Sequence, residues 1–182
     1  MNGINKLVFV GKGLPSLCAA LVASVVVFLP VEGMAQVDIT GQNNYTMSDG
    51  GSSANVNVVN TGTLGMNSWT VGGVPGSQLV QQWFWYSING AAPQPINTLG
   101  AASVYNVNGN PNLNDLGVIY QNAQLSVSVE YVLSGNGANS GSADMGENIM
   151  VVNNSISSLN LSFYQYSNFN LLQNNNNQRT TL

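Results

Sequence analysis

The chain has 182 residues, of which only 5% are charged, against roughly 25% in an average soluble protein. Three basic residues face seven acidic ones, and there is no histidine. That balance excludes nucleic-acid binding, which needs a cationic surface to displace counterions from phosphates. The length allows one domain with a targeting segment.

Lys6 and Lys12 form a positive N-terminal region, followed by an apolar stretch from Leu14 to Leu29 that ends at Pro30. Gly33-Met34-Ala35 then sets small residues before a junction between Ala35 and Gln36. This is the order of a secretory signal peptide over residues 1–35, with Gln36 as the first mature residue. A transmembrane anchor fits less well, because the run falls short of the ~20 residues of a spanning helix and Pro15 interrupts its start. A lipoprotein signal also fits less well, because Cys18 opens the apolar run and the large Leu17 precedes it. The expected location is secreted or at the cell surface, with no membrane span in the mature chain. Removing the leader discards Cys18 and both lysines. Arg179 then stands alone against Asp38, Asp49, Asp115, Glu130, Asp144 and Glu147. Without His, Lys or Cys the mature part lacks the usual bases and nucleophiles, so no enzymatic activity is expected.

Residues 36–182 hold 26 Asn, 17 Ser and 16 Gly among 147 residues, a composition that suggests disorder unless apolar residues are regularly spaced. They are. From Leu125 to Leu133 every odd position is apolar, and Ser126, Ser128 and Glu130 fall between. Leu159, Leu161 and Phe163 repeat the pattern, and Val56 and Val58 echo it. Alternation of period two marks half-buried strands. Asn89-Gly90, Asn108-Gly109 and Asn136-Gly137 supply tight turns between such runs. Pro75-Gly76, Pro93-Gln94-Pro95 and Pro111 mark further loops. The predicted strands are 37–41, 54–60, 67–72, 79–88, 102–107, 116–121, 124–133, 147–153 and 158–169. The fold class is all-β, an antiparallel β-sandwich or jelly-roll-like domain over 36–170, followed by an Asn-rich disordered tail over 171–182. A parallel β-helix is the alternative, but no fixed repeat length emerges.

Two segments are apolar on both faces of their strands. Ile149-Met150-Val151-Val152 is one, and Trp83-Phe84-Trp85-Tyr86 is the other. Alternation puts Trp83 and Trp85 on one side of the second. A central strand covered on both faces explains this with no function. An exposed aromatic shelf for stacking sugars, with Trp83 and Trp85 as ligand-binding candidates, is the functional reading.

Several blocks carry a family resemblance in order along the chain. They are Gln81-Gln82-Trp83-Phe84-Trp85-Tyr86, Pro95-Ile96-Asn97-Thr98-Leu99, Leu125 to Leu133, Ala143 to Ile149, and Leu161-Ser162-Phe163-Tyr164-Gln165-Tyr166-Ser167-Asn168-Phe169. Together, over about 79–170, they resemble the N-terminal portion of secreted bacterial proteins of the PEP-CTERM sorting-domain class. The resemblance implies Sec export and a role in extracellular matrix or biofilm. Members of that class end in a Pro-Glu-Pro motif, an apolar helix and a basic tail processed by an exosortase. None of these follows Phe169 here, so exosortase sorting is not carried over; the expectation is a truncated member whose domain lacks C-terminal strands, with a short free-standing homologue as the alternative.

Among the carboxylates, Asp144 and Glu147 are the metal candidates for Ca²⁺, with Asp144 closing a Gly/Ser loop and Glu147 opening a strand. The Asn106–Asp115 stretch alternates oxygen-bearing side chains, but only Asp115 in it is charged, so an asparagine-rich turn is expected. Six carboxylates offer little basis for a glycosidase pair, and no other cofactor is expected. The sequons at Asn44, Asn153 and Asn160 carry no weight in a bacterial setting. Two function classes remain: a structural or adhesive extracellular protein, and a glycan-binding module. The expected partners are matrix polysaccharide or a second copy of the chain, the latter through an open edge on the strand at 158–169.

Overall fold

The computed structural model describes residues 3–10, 36–59 and 62–170, the first of these by backbone alone. It contains strands β1 (Gly3–Val10), β2 (Val37–Asp38), β3 (Asn44–Asp49), β4 (Ser52–Asn57), β5 (Gly65–Thr70) and β6 (Leu79–Ile88). After β7 (Gln94–Pro95) and a single 3-10 turn, Ile96–Leu99, come β8 (Ser103–Asn106), β9 (Asp115–Gln121) and β10 (Leu125–Gly135). The series ends with β11 (Ala143–Asn153) and β12 (Asn160–Phe169).

These strands form two antiparallel sheets packed face to face, an all-β sandwich. The first sheet runs in the order β1-β12-β6-β5-β4-β3, with β7 pairing β6, and the second runs β11-β10-β9-β8-β2. Each sheet contains a meander of sequential neighbours. The chain then leaves β11 and returns to the first sheet, laying β12 beside β6.

The alternation read from Leu125 to Leu133 is realised in full. Leu125, Val127, Val129, Tyr131 and Leu133 are all buried in the core. Met47, Val56, Phe84, Leu161 and Phe163 meet them from the first sheet, and Ile96 and Leu99 of the 3-10 turn pack among them. Phe84 and Phe163 stack at a centroid distance of 5.6 Å within the first sheet. The Tyr120 hydroxyl donates to the Val58 carbonyl at 2.8 Å, a bond that spans the two sheets.

The two seams of the sandwich are closed differently. On one side the β3–β4 hairpin meets the end of β10: the Gly135 N–H donates to Asp49 Oδ2 at 2.8 Å. A Cβ on Gly50 would lie 2.1 Å from the Gly135 carbonyl, so only glycine lets these backbones cross. On the other side Gln165 Nε2 of β12 donates to Glu147 Oε2 of β11 at 2.8 Å.

Several predicted strands change at their ends, and three are added: β1, β3 and the two-residue β7, which pairs with β6 where Pro93-Gln94-Pro95 was expected to form only a loop. The span 79–88 is reproduced as β6, whereas the expected strand at 37–41 shortens to Val37–Asp38, and that at 147–153 begins earlier, at Ala143. β3 falls where a loop was expected. Its alternation of buried Tyr45 and Met47 with exposed Asn44, Thr46 and Ser48 is only two apolar residues deep. β1 lies in the predicted leader and pairs along its whole length with β12, from Gly3 opposite Ser167 to Val10 opposite Asn160. The edge of β12 expected to be open is therefore covered by Gly3–Val10 in the 182-residue chain. The apolar stretch Leu14–Leu29, residue Ala35 of the cleavage junction and the tail 171–182 lie outside the described residues. No helix among the described residues is long and apolar enough to cross a membrane.

Candidate functional site

The aromatic candidates part company in the structure. Trp83 is 2% exposed and meets Tyr120 of the opposite sheet edge-on at 6.0 Å. Its indole lies against Gly65, where a Cβ would come within 2.4 Å of Trp83 Cε3. Gly65 also holds a φ of 85° that a side chain would strain. Trp83 is thus core, and the expectation that it stacks a ligand is corrected: a buried indole offers no face to a sugar.

Trp85, two residues on, is only half-buried. It stands opposite Tyr164 in the ladder and packs edge-on with Tyr166 at 6.2 Å. With Pro93 and Gln165 these residues line a depression of about 310 Å³. β6 and β12 set this shelf by simple alternation: Phe163 turns into the core, so Tyr164 and Tyr166 turn to the other face. Such a surface can stack the C–H face of a sugar ring or an aromatic side chain. Sequence reading singled out Trp85 but not Pro93, Tyr164 and Tyr166 as its companions. The alternating Phe163-Tyr164-Gln165-Tyr166 block was the signal available for the tyrosines.

The calcium candidates also separate. β11 is continuous from Ala143, so Asp144 and Glu147 sit three apart on one strand and face opposite sides. Asp144 is exposed, while Glu147 turns inward to Gln165 and stands opposite Tyr131. The two cannot share one ion, which corrects the proposed Ca²⁺ pair. Among the described residues no group of three or more acidic, His or Cys side chains is placed to hold a metal.

Burial leaves two carboxylates with unusual titration. Glu147 is pushed up to about 7 by desolvation, opposed in part by the Gln165 hydrogen bond. Asp115 is raised to about 7, first by burial and then by the Glu130 charge and a hydrogen bond shared with Glu130. Glu130 in turn accepts from Asn148 Nδ2 at 3.0 Å. This pair lies on the face of β9 and β10 opposite to Leu116 and Tyr131, away from the aromatic shelf.

The Asn106–Asp115 loop is tied by its own asparagines, although Asn106 Oδ1 and Asp115 Oδ1 are buried without a hydrogen-bond partner. Asn108 Oδ1 accepts from the Asn110 N–H at 2.9 Å, Asn110 Oδ1 accepts from Asn112 at 3.1 Å, and Asn108 Nδ2 donates to Asn114 Oδ1 at 2.9 Å. These are Asx turns, in which the side chain takes the place of a backbone acceptor. Their oxygens are committed to the loop.

Comparison with known proteins adds no relative. No family model matches the chain, no curated protein matches it, and no solved structure matches it.

Proposed function

We propose that this chain is a secreted, non-enzymatic bacterial protein of the cell surface or extracellular matrix, acting as a structural or adhesive component of the PEP-CTERM-like kind. The observation that carries the reading is the pairing of a leader pattern with a sandwich whose outer surface is dressed in asparagine and serine instead of charge. Such a surface interacts through shape, strand edges and stacking, with little dependence on ionic strength. The test is fractionation of a bacterial culture expressing the tagged 182-residue chain. Recovery in the medium or matrix, with an N-terminus at Gln36, supports the reading. Retention in the cytosol with Met1 in place overturns it.

The Trp85 depression favours a second reading, a glycan-binding module in which Trp85, Tyr164 and Tyr166 stack sugar rings. Retention on immobilised matrix polysaccharides, lost in Trp85→Ala, supports it. Retention that is unchanged in Trp85→Ala removes the shelf from the interaction.

A further inference from the structure

β12 lies between β6 and β1, and the two neighbours have different fates. Asn160 turns its backbone toward β6, accepting from the Asn89 N–H at 2.8 Å and donating to Asn89 Oδ1 at 3.1 Å. In an antiparallel ladder the N–H and C=O of one residue point the same way, and successive residues alternate. Leu161, Phe163, Gln165 and Ser167 therefore offer their backbone groups to Phe9, Leu7, Asn5 and Gly3 of β1. β1 belongs to the segment that the leader reading removes. Its departure leaves those groups unpaired along the edge of the first sheet.

Sheet edges are ordinarily blunted by charge, proline or a bulge. β11, the edge of the second sheet, carries Asp144 and the inward-facing Glu147. β12 carries neither charge nor proline from Asn160 to Phe169, and its ladder is irregular only at Asn168/Phe169. Among the described side chains the buried core runs from Tyr45 to Phe163, all of it outside residues 1–35. Removal of residues 1–35 takes away the strand that covered this edge.

We infer that the leader-free chain self-associates by pairing β12 with β12 of a second copy, and that β1 caps this edge until the leader is removed. The inference deepens the structural reading above and rests on removal of residues 1–35. The occupant is argued from the strand itself. Antiparallel pairing about a two-fold axis at Gln165 sets Tyr164 opposite Tyr166 of the other copy, Phe163 opposite Ser167 and Ser162 opposite Asn168. Cross-strand aromatic pairs of this kind stabilise a sheet, and a two-fold contact satisfies both edges at once. The Trp85 shelves of the two copies join into one aromatic strip across the axis.

The test is sedimentation velocity of residues 36–182, of its Ser167→Pro variant, and of residues 36–182 with a tenfold excess of a peptide of Gly3–Val10. The Ser167 N–H points to the edge, so proline there blocks edge pairing without touching the β6 ladder. The expected result is twice the monomer mass for the leader-free chain, and the monomer mass for Ser167→Pro and for the peptide-treated sample. A scrambled peptide should leave the dimer intact. Hydrogen exchange of the Leu161, Phe163, Gln165 and Ser167 amides gives a readout independent of the variant's folding: all four should be protected in the dimer. A monomeric leader-free chain, a dimer insensitive to the peptide, or fast exchange of these amides in the dimer overturns the proposal. Failure of the leader reading is seen separately, as secreted protein whose mass still includes residues 1–35.

Discussion

The two sheets divide the chemistry of the chain between them. All three tryptophans, Trp69, Trp83 and Trp85, lie on β5 and β6 of the first sheet. Of the six carboxylates after Gln36, five lie in the second sheet: Asp38, Asp115, Glu130, Asp144 and Glu147. Burial therefore has opposite consequences on the two sides. In the first sheet it removes apolar area from water and stabilises the fold. In the second it strips solvent from Asp115 and Glu147 and raises their affinity for protons.

The first sheet should be the more sensitive to truncation. Trp83→Ala removes a side chain packed against Tyr120 and Gly65, and is expected to cost roughly 3–5 kcal/mol in denaturant unfolding. A loss below about 1 kcal/mol would show that the indole is not part of the core. Gly65→Ala tests the same contact from the other side. The added Cβ meets the Gln82 carbonyl at 2.3 Å and the Trp83 ring at 2.4 Å. At a φ of 85° this should destabilise by about 2–3 kcal/mol, without the cavity that Trp83→Ala leaves.

The second sheet should answer to pH. In the folded chain the Glu147 and Asp115 carboxyls both titrate at about 7, whereas in the unfolded chain they titrate near 4. Below that lower value both states are protonated and no penalty exists. As pH rises toward 7 the unfolded state releases protons more readily, so stability falls with rising pH across this window. Unfolding followed at pH 5 and pH 8 checks the sign. Glu147→Gln keeps an acceptor for Gln165 and removes the buried charge. It should flatten part of that slope and raise stability at pH 8 by on the order of 1–2 kcal/mol. An unchanged slope would mean that Glu147 ionises as freely as it does in water.

The smallest effect sharpens the contrast inside the first sheet. Trp85→Ala loses an edge-on contact with Tyr166 at a half-buried position, and should cost only about 0.5–1.5 kcal/mol beyond its lost area. Thermal unfolding of Trp83→Ala and Trp85→Ala side by side should separate two indoles that alternation treats as equals. Equal losses would return both to the core.

How much of this was legible in the sequence depends on how local each feature is. The span of β6, the buried row on β10 and the asparagine turns of residues 106–115 follow from neighbours along the chain, and period-two spacing and Asx chemistry reveal them. β3 was missed because Tyr45 and Met47 provide too short an alternation, although Asp49-Gly50-Gly51-Ser52 after them has the form of a tight hairpin. The aromatic site was half legible. Trp85, Tyr164 and Tyr166 share a face by alternation once β6 and β12 are known to pair, but that pairing joins residues nearly eighty positions apart.

The sequence by itself determined that the chain is all-β, that it carries few charges, and where most of its strands and turns fall. Each of these properties is set by side chains within a few residues of one another. Only the tertiary structure decided which indole is core and which is surface, because Gly65 on a neighbouring strand makes room for Trp83 alone. It also decided that Asp144 and Glu147 face apart, since the continuous β11 strand points them to opposite sides. And it decided that β12 is covered by Gly3–Val10: register between distant strands is chosen by the packing of whole sheets, which no local pattern encodes.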